Sequence, residues 1–370
     1  MKKKIYFYLA LIFNVIMGIG TTGCQNDVDE NSKEYIKHKL NDEIINLPSG
    51  EFVEKKNGNI YYEGDIILTE RQLDNLIETG TIAGNNQQIE PVKEVHPATN
   101  LPLTSSTRNV GLYPTGYNLW AMVRFTYDSN LSATHRERIK TALLRIQSNT
   151  NVRFYNATGQ PTHDDIYDFD YPYVNFKYIG DEDTSYSYIG RIGGKQDICL
   201  ADFAFESYNT HVIEHEICHA LGLLHEQCRY DRDNYVSINT SNLTEKGLAN
   251  FTKRTSNYTC RGSYDFNSIM GYDSYTSSTS MVINTNLPMY TKLDGTNIYQ
   301  GRELSDGDRM WLNYYYLPYV ARSDTYAELD SVVFDGNNQR LSEEQRIQLQ
   351  AQLNNGTPLP PEGGRITNEF

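Results

Sequence analysis

The most constraining feature of this sequence is one eleven-residue run, His215-Glu216-Ile217-Cys218-His219-Ala220-Leu221-Gly222-Leu223-Leu224-His225. Residues four apart lie on one face of a helix, so His215 and His219 can hold one cation from the same side. Gly222 has no Cβ and can end the helix in the left-handed conformation, which turns the chain back and brings His225 to the cation. Three imidazoles with an open fourth position are typical of a catalytic zinc site, so we predict one Zn²⁺ ion per chain.

Glu216 lies beside the face that carries His215 and His219, so its carboxylate can reach a water on the metal without binding the metal itself. This position predicts a catalytic general base. A surface helix with incidental histidines is the alternative, but it does not explain the fixed offsets of Gly222 and His225. The other histidines lack such spacing and are interpreted as ordinary surface or core residues: His38, His96, His135, His163 and His211.

The N-terminus predicts export from the cytosol. A basic start, Met1-Lys2-Lys3-Lys4, precedes an apolar run and the small residues Thr21-Thr22-Gly23, which together indicate a signal peptide over residues 1–23. The following Cys24 completes a sequence that resembles a bacterial lipobox, with Thr21 where Leu is usual, and is the predicted lipidation site. We expect an extracytoplasmic protein, secreted or lipid-anchored to the bacterial outer membrane or cell surface; an uncleaved signal anchor is the alternative.

Composition excludes two classes of function. Acidic residues outnumber basic ones by 47 to 33, for a formal net charge of −14, whereas nucleic-acid binding depends on Lys and Arg that neutralise phosphates. A mean hydropathy of −0.58 excludes a polytopic membrane protein. The expected partners are therefore protein or peptide substrates, with a membrane reached only through the lipid on Cys24.

The chain divides into segments of different composition. Residues 24–108 form a polar tether and a pro-segment, which ends in an exposed linker over residues 91–108. Residues 109–318 form one dense domain, and residues 319–370 form a C-terminal extension of unknown role. Strands are predicted over residues 59–68, 119–127, 151–155, 173–178 and 198–201, and helices from Thr69, after Ser132, and over residues 209–221 and 342–353.

The zinc-binding run and its continuation resemble the astacin family of metzincin zinc endopeptidases. The run fits the pattern HExxHxxGxxH, and its extension reads His225-Glu226-Gln227-Cys228-Arg229. Ser268-Ile269-Met270-Gly271-Tyr272 is similar to the family's Met-turn, except that Gly271 stands where His is customary. The resemblance covers about residues 109–318 and implies a metzincin-like α+β fold: a twisted mixed β-sheet, two long helices above the cleft and an irregular C-terminal subdomain.

The resemblance also implies roles for single residues. Tyr272 corresponds to a fifth zinc ligand that can leave the metal and hydrogen-bond the oxyanion, and Met270 to a hydrophobic base under the zinc. Glu226 corresponds to the partner of the new N-terminal ammonium after activation; a surface carboxylate is the alternative. An extended substrate would lie antiparallel to an edge strand near residues 186–190. The implied zinc ligands from the run are His215, His219 and His225.

A second similarity lies upstream. Tyr62-Glu63-Gly64-Asp65 resembles the astacin pro-peptide motif, aromatic-x-Gly-Asp, which implies that Asp65 binds the zinc in the zymogen and displaces the water. A turn between two strands is the alternative. Cleavage after Arg108, by an activating protease or by the chain itself, would release Asp65 and leave Asn109 as an N-terminus that can reach Glu226.

Four cysteines remain after Cys24, an even number that favours two disulfides in an oxidising compartment. Four cysteines allow three pairings, and spacing does not choose among them. Members of the family usually carry two disulfides, but at other positions than those occupied here. The resemblance therefore gives no pairing for these four cysteines, and we predict the pairs Cys228–Cys260 and Cys199–Cys218.

These observations predict a zinc metalloendopeptidase, a peptide-bond hydrolase made as a zymogen. Two alternatives belong to other classes: a zinc-binding adhesin or binding lipoprotein without activity, and a zinc amidase that acts on cell-wall peptides.

Overall fold

The computed structural model describes residues 44–82, 108–112, 120–166, 168–254 and 258–370. The predicted signal peptide, Cys24 and almost all of the linker lie outside the described residues, as do His38 and His96. No helix within the described ranges is both long enough and apolar enough to cross a membrane.

A mixed sheet of nine strands forms the centre of the fold. The strands are β1 (Ile44–Asn46), β2 (Phe52–Lys56), β3 (Asn59–Tyr62), β4 (Ile66–Ile67), β6 (Val123–Tyr127), β7 (Phe154–Asn156), β10 (Tyr173–Gly180), β11 (Tyr186–Tyr188) and β12 (Lys195–Ala201). Their order in the sheet is β1-β2-β3-β4-β11-β12-β10-β6-β7. The last four strands in this order run parallel, β11 is antiparallel to β12, and β4 is parallel to β11.

The other strands form two-stranded sheets in the described part of the chain. They are β5 (Arg108–Leu112) with β14 (Tyr258–Arg261), β8 (His163–Asp164) with β9 (Phe169–Asp170), and β13 (Val236–Ile238) with β15 (Tyr290–Lys292). The described helices are α1 (Glu70–Thr79), α2 (Ala133–Asn149), α3 (Thr210–Leu221), α4 (Glu245–Ala249), α5 (Asp306–Tyr315) and α6 (Glu343–Leu353).

Polar caps fix where most of these helices begin. The side chains of Thr69, Ser132, Ser305 and Ser342 each accept a hydrogen bond from a backbone N–H in the first turn, which satisfies a donor that the helix itself leaves open. The predicted starts at Thr69, Ser132 and near residue 342 agree with the structure. The sequence patterns do not predict α5, although Ser305 and Asp308 form a capping box at its start.

The main core lies between the parallel part of the sheet and the helices α2 and α3. Along β6 every second residue is buried, because alternate side chains of a strand point to opposite faces. Buried side chains of α2 and α3 pack against that face together with residues from the end of the chain. Members of this core include Phe125, Ile139, Leu143, Phe176, Ile213, Ile217, Met270 and Trp311.

The N-terminal segment, residues 44–82, adds four strands to one side of the sheet and packs its own small core against Leu224. The sequence predicts a single strand over residues 59–68, but the chain turns between β3 and β4. Glu63 and Gly64 adopt positive φ angles of 54° and 101°. A Cβ on Gly64 would lie 2.9 Å from Asn250 Oδ1, so glycine allows the turn to approach the rest of the protein closely.

The C-terminal extension, residues 319–370, covers the opposite side of the sheet, where β7 is the last strand. The backbone N–H of Asn156 in β7 donates to Asn368 Oδ1 at 3.0 Å, and the Phe370 ring lies 5.8 Å from that of Phe125. Arg153 Nε lies 2.8 Å from Asp330 Oδ2. These contacts cover backbone groups that an open sheet edge would present to solvent.

The end of α3 provides a stability prediction. Gly222 ends the helix with φ of 108°, and a Cβ there would lie 3.2 Å from the Trp311 ring. We expect Gly222→Ala to destabilise the protein by about 2–3 kcal/mol, because left-handed strain of about 1 kcal/mol adds to steric contact with a buried ring. Thermal unfolding of the full chain measures this loss.

Gly159→Ala is the matched control, because Gly159 also has a positive φ, 79°, but no atom within 4 Å of its Cβ position. This control should cost only the strain, about 1 kcal/mol. Equal losses in the two variants would contradict a role for Trp311 in fixing this turn.

Candidate metal centre

Four side chains from three parts of the chain meet at one buried point. His215 and His219 lie one helical turn apart on α3, His225 follows the turn at Gly222, and Asp65 comes from the N-terminal segment. The Asp65 carboxylate lies 3.5 Å from His215 Nε2, 3.4 Å from His219 Nε2 and 3.3 Å from His225 Nε2. The structure thus brings together four of the five residues that the sequence singled out as ligands; the hydroxyl of the fifth, Tyr272, donates to the Glu63 carbonyl instead.

The outer nitrogens of the imidazoles explain why this group suits a metal. His215 Nδ1 lies 2.8 Å from the Ile269 carbonyl and His219 Nδ1 lies 2.8 Å from the Leu223 carbonyl. A carbonyl oxygen only accepts, so both Nδ1 atoms carry the proton and both Nε2 atoms present a lone pair to the centre. Each ring is therefore fixed in the tautomer that a metal requires.

The protonation states of His219 and Asp65 also favour a cation at this point. Burial lowers the pKa of His219 to about 4, so this ring is neutral at physiological pH. Burial acts to raise the pKa of Asp65, but the three imidazoles hold it well below its usual range. Burial acts to lower the pKa of His225, but Asp65 and Glu63 raise it to about 9, so zinc binding would displace a proton from this ring. Neutral imidazole and ionised carboxylate are the forms that coordinate zinc, and the donor set of this chain fits one such ion.

Glu216 is buried next to this group, on the same helix. Its side-chain Oε2 is buried with no hydrogen-bond partner among the described residues, while its backbone carbonyl accepts from Ser187 Oγ at 2.9 Å. Burial, and then the charge of Asp65, raises the pKa of Glu216 well above its usual value. An unsatisfied carboxylate oxygen beside a metal group is positioned for proton transfer.

The turn over residues 268–271 contacts the metal-facing histidines through the Ile269 carbonyl, which lies 2.8 Å from His215 Nδ1. Met270 is fully buried, and its carbonyl accepts from the Glu226 N–H at 3.0 Å. The nearest neighbour of a Cβ on Gly271 would be the Ser268 carbonyl at 3.4 Å, an ordinary van der Waals contact, so the backbone there does not require a glycine. The Tyr272 hydroxyl donates to the Glu63 carbonyl at 3.0 Å, and its ring lies 5.1 Å from that of His225. In this state Tyr272 is bound to the N-terminal segment.

The N-terminal segment also occupies the strand that the sequence assigns to substrate. β4 pairs with β11 through Ile66 opposite Ser187 and Ile67 opposite Tyr188. β11 is therefore an internal strand in this structure and not the predicted edge. Since β4 runs parallel to β11, its direction is opposite to that of an antiparallel substrate.

Glu226 is fully buried, so it is not a surface carboxylate. Its Oε1 accepts from Arg229 Nη1 at 3.0 Å and from the Asp265 N–H at 2.8 Å. Its Oε2 has no hydrogen-bond partner within the described ranges, and burial raises the pKa of Glu226 to about 8. Asn109, the predicted new N-terminus, lies within β5 in the uncleaved chain.

The structure corrects the predicted disulfides. The cysteines whose side chains the structure describes are free thiols: Cys199, Cys218 and Cys228. Neither of the predicted pairs, Cys199–Cys218 and Cys228–Cys260, is therefore formed. The strand neighbours of Cys199 point into the core that contains Cys218, so Cys199 points to the other face of the sheet. The Cys228 thiol donates to the Asn250 carbonyl at 3.3 Å. Burial raises the pKa of all three thiols, which keeps them in the unreactive protonated form.

The described histidines outside the centre are bound elsewhere. His135 stacks on Phe205, His163 Nδ1 lies 2.9 Å from an Asp170 oxygen, and His211 hydrogen-bonds Arg302.

A buried ion pair beside the centre is not marked by any pattern in the sequence. Glu63 Oε2 contacts Arg254 Nη2 and lies 3.2 Å from His225 Nδ1, and Arg254 Nη1 donates to the His225 carbonyl at 2.9 Å. Glu63 occupies the variable position of the aromatic-x-Gly-Asp motif, so the motif does not mark it. Arg254 follows the third histidine by 29 positions, and only the tertiary structure joins the two.

The site defines the class of protein: one with a buried three-histidine group that fits a metal ion and is closed by a carboxylate from its own N-terminal segment. A family model for the astacin peptidases matches residues 114–317, more than half of the chain. The chain belongs to the astacin family, as its sequence motifs predict, and its mixed sheet and helices agree with the α+β fold expected for it.

Individual relatives match over part of their length. Flavastacin from Elizabethkingia meningoseptica is 32% identical over 212 residues, which cover 55% of this chain and 42% of flavastacin. Zinc metalloproteinase nas-31 from Caenorhabditis elegans is 44% identical over 97 residues, 26% of this chain and 15% of that protein. The chain therefore spans less than half the length of these two relatives.

Among solved structures, high choriolytic enzyme 1, a hatching enzyme zinc-protease from Oryzias latipes, is 26% identical. The comparison covers 55% of this chain and 92% of that one, with a TM-score of 0.43.

Glu51 gives a prediction about pH. It is buried in the N-terminal segment, accepts from the Tyr62 hydroxyl at 2.7 Å and faces the charges of Glu63 and Arg254. Burial is the main cause that raises its pKa from 4.5 to about 7. Docking of the segment therefore favours the protonated carboxyl, and this stabilisation is lost as the pH rises from about 4.5 through 7.

We expect the hydrogen-exchange protection factors of β2, β3 and β4 to fall over this range in the full chain. Glu51→Gln should remove up to ~3 kcal/mol of that dependence. Asp74→Asn, an exposed change in the same segment, should keep the wild-type profile. Superimposable pH profiles for wild type and Glu51→Gln would contradict the assignment.

Proposed function

We propose that this protein is a zinc-dependent endopeptidase made as a zymogen. One observation carries the proposal: three imidazoles, two of them held in one tautomer by backbone carbonyls, converge on a buried point, and Glu216 beside it has a carboxylate oxygen with no hydrogen-bond partner among the described residues. A purely structural metal site would have no use for that carboxylate. His215, His219 and His225 would hold the zinc, with Asp65 as a further ligand in the zymogen.

Zinc, when bound, supplies Lewis-acid chemistry that polarises a peptide carbonyl and lowers the pKa of water to about 7. Residues of the chain itself transfer the proton, bind the oxyanion and bind the substrate. Glu216 accepts the proton of the attacking water and passes it to the leaving amine. The Tyr272 hydroxyl, once the N-terminal segment has left, donates to the oxyanion. The backbone of β11 binds the extended substrate as an added antiparallel strand.

Inhibition by the N-terminal segment, the pro-segment of this proposal, follows from two contacts. The Asp65 carboxylate lies among the three imidazoles, where the attacking water would have to lie. β4 covers the backbone groups of β11, so substrate and segment exclude each other. Because β4 runs in the direction opposite to substrate, the carbonyl and amide of each of its peptide bonds have the opposite order along the cleft.

Activation would follow cleavage near Arg108, by another protease or by the chain itself. The Glu226 Oε2 atom is available to accept an ammonium, and a buried carboxyl with a raised pKa gains stability when a cation arrives. We propose that the N-terminus at Asn109 supplies this cation. Export under the signal peptide of residues 1–23, with a lipid on Cys24, would place the catalytic domain, residues 109–318, outside the cytosol.

The general base gives the decisive test. Glu216→Gln in the processed protein should keep one zinc per chain and its melting temperature but lose at least about a hundredfold in the rate of casein hydrolysis. Glu214→Gln is the matched control, because Glu214 is a buried acid on the same helix that pairs with Arg145 at 3.1 Å.

A Glu216→Gln protein as active as wild type would contradict the mechanism. If processed wild type hydrolyses muropeptides but not casein, the protein is an amidase. If it binds zinc and hydrolyses neither, it is a binding protein.

The inhibitory contact gives a separate prediction. Uncleaved Asp65→Ala should hydrolyse casein measurably, while uncleaved wild type should not, because the alanine leaves the metal position open to water. Asp74→Ala, which removes an exposed acid of the same segment, should stay as inactive as wild type. Equal rates for uncleaved and processed wild type would show that the segment does not inhibit.

A further inference from the structure

We propose that the N-terminal segment, besides blocking the cleft, retains the metal, and that Glu63 is the positioning residue through which it does so. Glu63 is not a ligand: its side chain contacts the outer nitrogen of a ligand, His225, and fixes that ring in the orientation a metal requires. The inference rests on the proposed function for the identity of the metal and for the departure of the segment on activation.

The three imidazoles are held in two different ways. The Nδ1 atoms of His215 and His219 each lie 2.8 Å from a backbone carbonyl that remains after processing, those of Ile269 and Leu223. The Nδ1 atom of His225 lies 3.2 Å from Glu63 Oε2 instead. Two outer contacts are therefore permanent, while the third belongs to a segment that leaves.

An outer carboxylate acts on a metal-binding imidazole in two ways. It accepts the Nδ1 proton, which leaves the lone pair of Nε2 for the metal, and its negative charge makes the ring a stronger donor. His225 Nε2 lies 3.2 Å from His215 Nε2 and 3.3 Å from the Asp65 carboxylate. The contact with Glu63 thus points the free nitrogen of His225 at the centre.

Glu63 is itself held in place, so it can hold His225. Its side chain is fully buried, and its Oε2 atom also contacts Arg254 Nη2. Arg254 Nη1 donates to the backbone carbonyl of His225 at 2.9 Å. The three residues form a closed ring of contacts that fixes both the backbone and the imidazole of His225, which is the support that a preorganised ligand needs.

Processing would change the type of metal site. In the uncleaved chain, Asp65 and the three imidazoles form a closed set of four protein donors, which is typical of sites that hold zinc permanently, whereas catalytic sites keep one position open. Loss of the segment opens that position and also removes the outer carboxylate from His225. We therefore expect the uncleaved chain to bind zinc more tightly than the processed protein.

The zinc affinity of the uncleaved chain, measured by competition with a chromogenic chelator, tests the inference without turnover. Glu63→Ala should weaken zinc binding by about tenfold to a hundredfold, the usual effect of losing an outer partner of a metal-binding histidine. Glu63→Gln should lie between Glu63→Ala and wild type, because an amide oxygen can accept from Nδ1 but has no charge. Zinc release to excess chelator should become faster in the same order.

Glu54→Gln is the matched control. Glu54 belongs to the same segment and is also buried in an ion pair, but its partner is Lys246, at 2.8 Å, and not a histidine. This variant should keep the zinc affinity of wild type. Hydrogen exchange of β4 in the zinc-free proteins shows whether the segment is docked in each variant.

Processing provides a second control. Residue 63 leaves with the segment, so processed wild type and processed Glu63→Ala are the same molecule. They should bind zinc equally, and less tightly than uncleaved wild type. A difference between them would identify a variant that has not folded correctly.

The outcomes separate this inference from the proposed function. Equal zinc affinities for uncleaved wild type and Glu63→Ala, or equal losses in Glu63→Gln and Glu54→Gln, would overturn the role of Glu63 and leave the peptidase standing. If Glu63→Ala undocks β4, the comparison of Glu63→Gln with Glu54→Gln decides, since both keep the side-chain volume. Failure of the processed protein to hydrolyse casein would contradict the peptidase and leave the effect of Glu63 on zinc affinity standing.

Discussion

The rest of this structure depends on keeping buried charges compensated around three imidazoles. Two carboxylates of the N-terminal segment, Asp65 and Glu63, are buried beside the histidines. An isolated buried charge costs several kcal/mol, so each requires a close partner. Asp65 has the three imidazoles and Glu63 has Arg254 and His225. The segment therefore docks in one register only, since a shift of one residue would leave both carboxylates buried without their partners.

The sequence predicted the parts of this arrangement that are local along the chain. The two histidines on α3, the turn at Gly222 and the return of His225 follow from helix geometry over eleven residues. The starts of α1, α2 and α6 follow from their caps. The Asp65 motif is also visible in the sequence, although only the structure shows that it is both the metal-facing carboxylate and a turn between two strands, so the two interpretations are compatible.

The predictions that were wrong, and the ion pair that was not predicted, depend on contacts between residues distant in the sequence. The disulfide predictions used compartment and parity, but which face of a strand a cysteine occupies depends on the strand's position in the sheet, and Cys199 points away from Cys218. The edge strand near residues 186–190 became internal because β4, more than a hundred positions earlier, pairs with it. The Glu63–Arg254 pair joins positions 191 residues apart, and neither residue stands in a spacing that marks it.

In the zymogen that we propose, the segment must bind like a substrate without being cut, and its direction along β11 would separate these two properties. Strand pairing with β11 gives β4 the backbone hydrogen bonds of an extended substrate. The parallel direction reverses the order of its carbonyls and amides relative to Glu216 and Tyr272. Asp65 and Glu63 each have partners among the imidazoles and Arg254, which favours docking of the segment. The reversed direction would turn its peptide groups away from the proposed proton donor and acceptor, so the segment could stay bound without being aligned for hydrolysis.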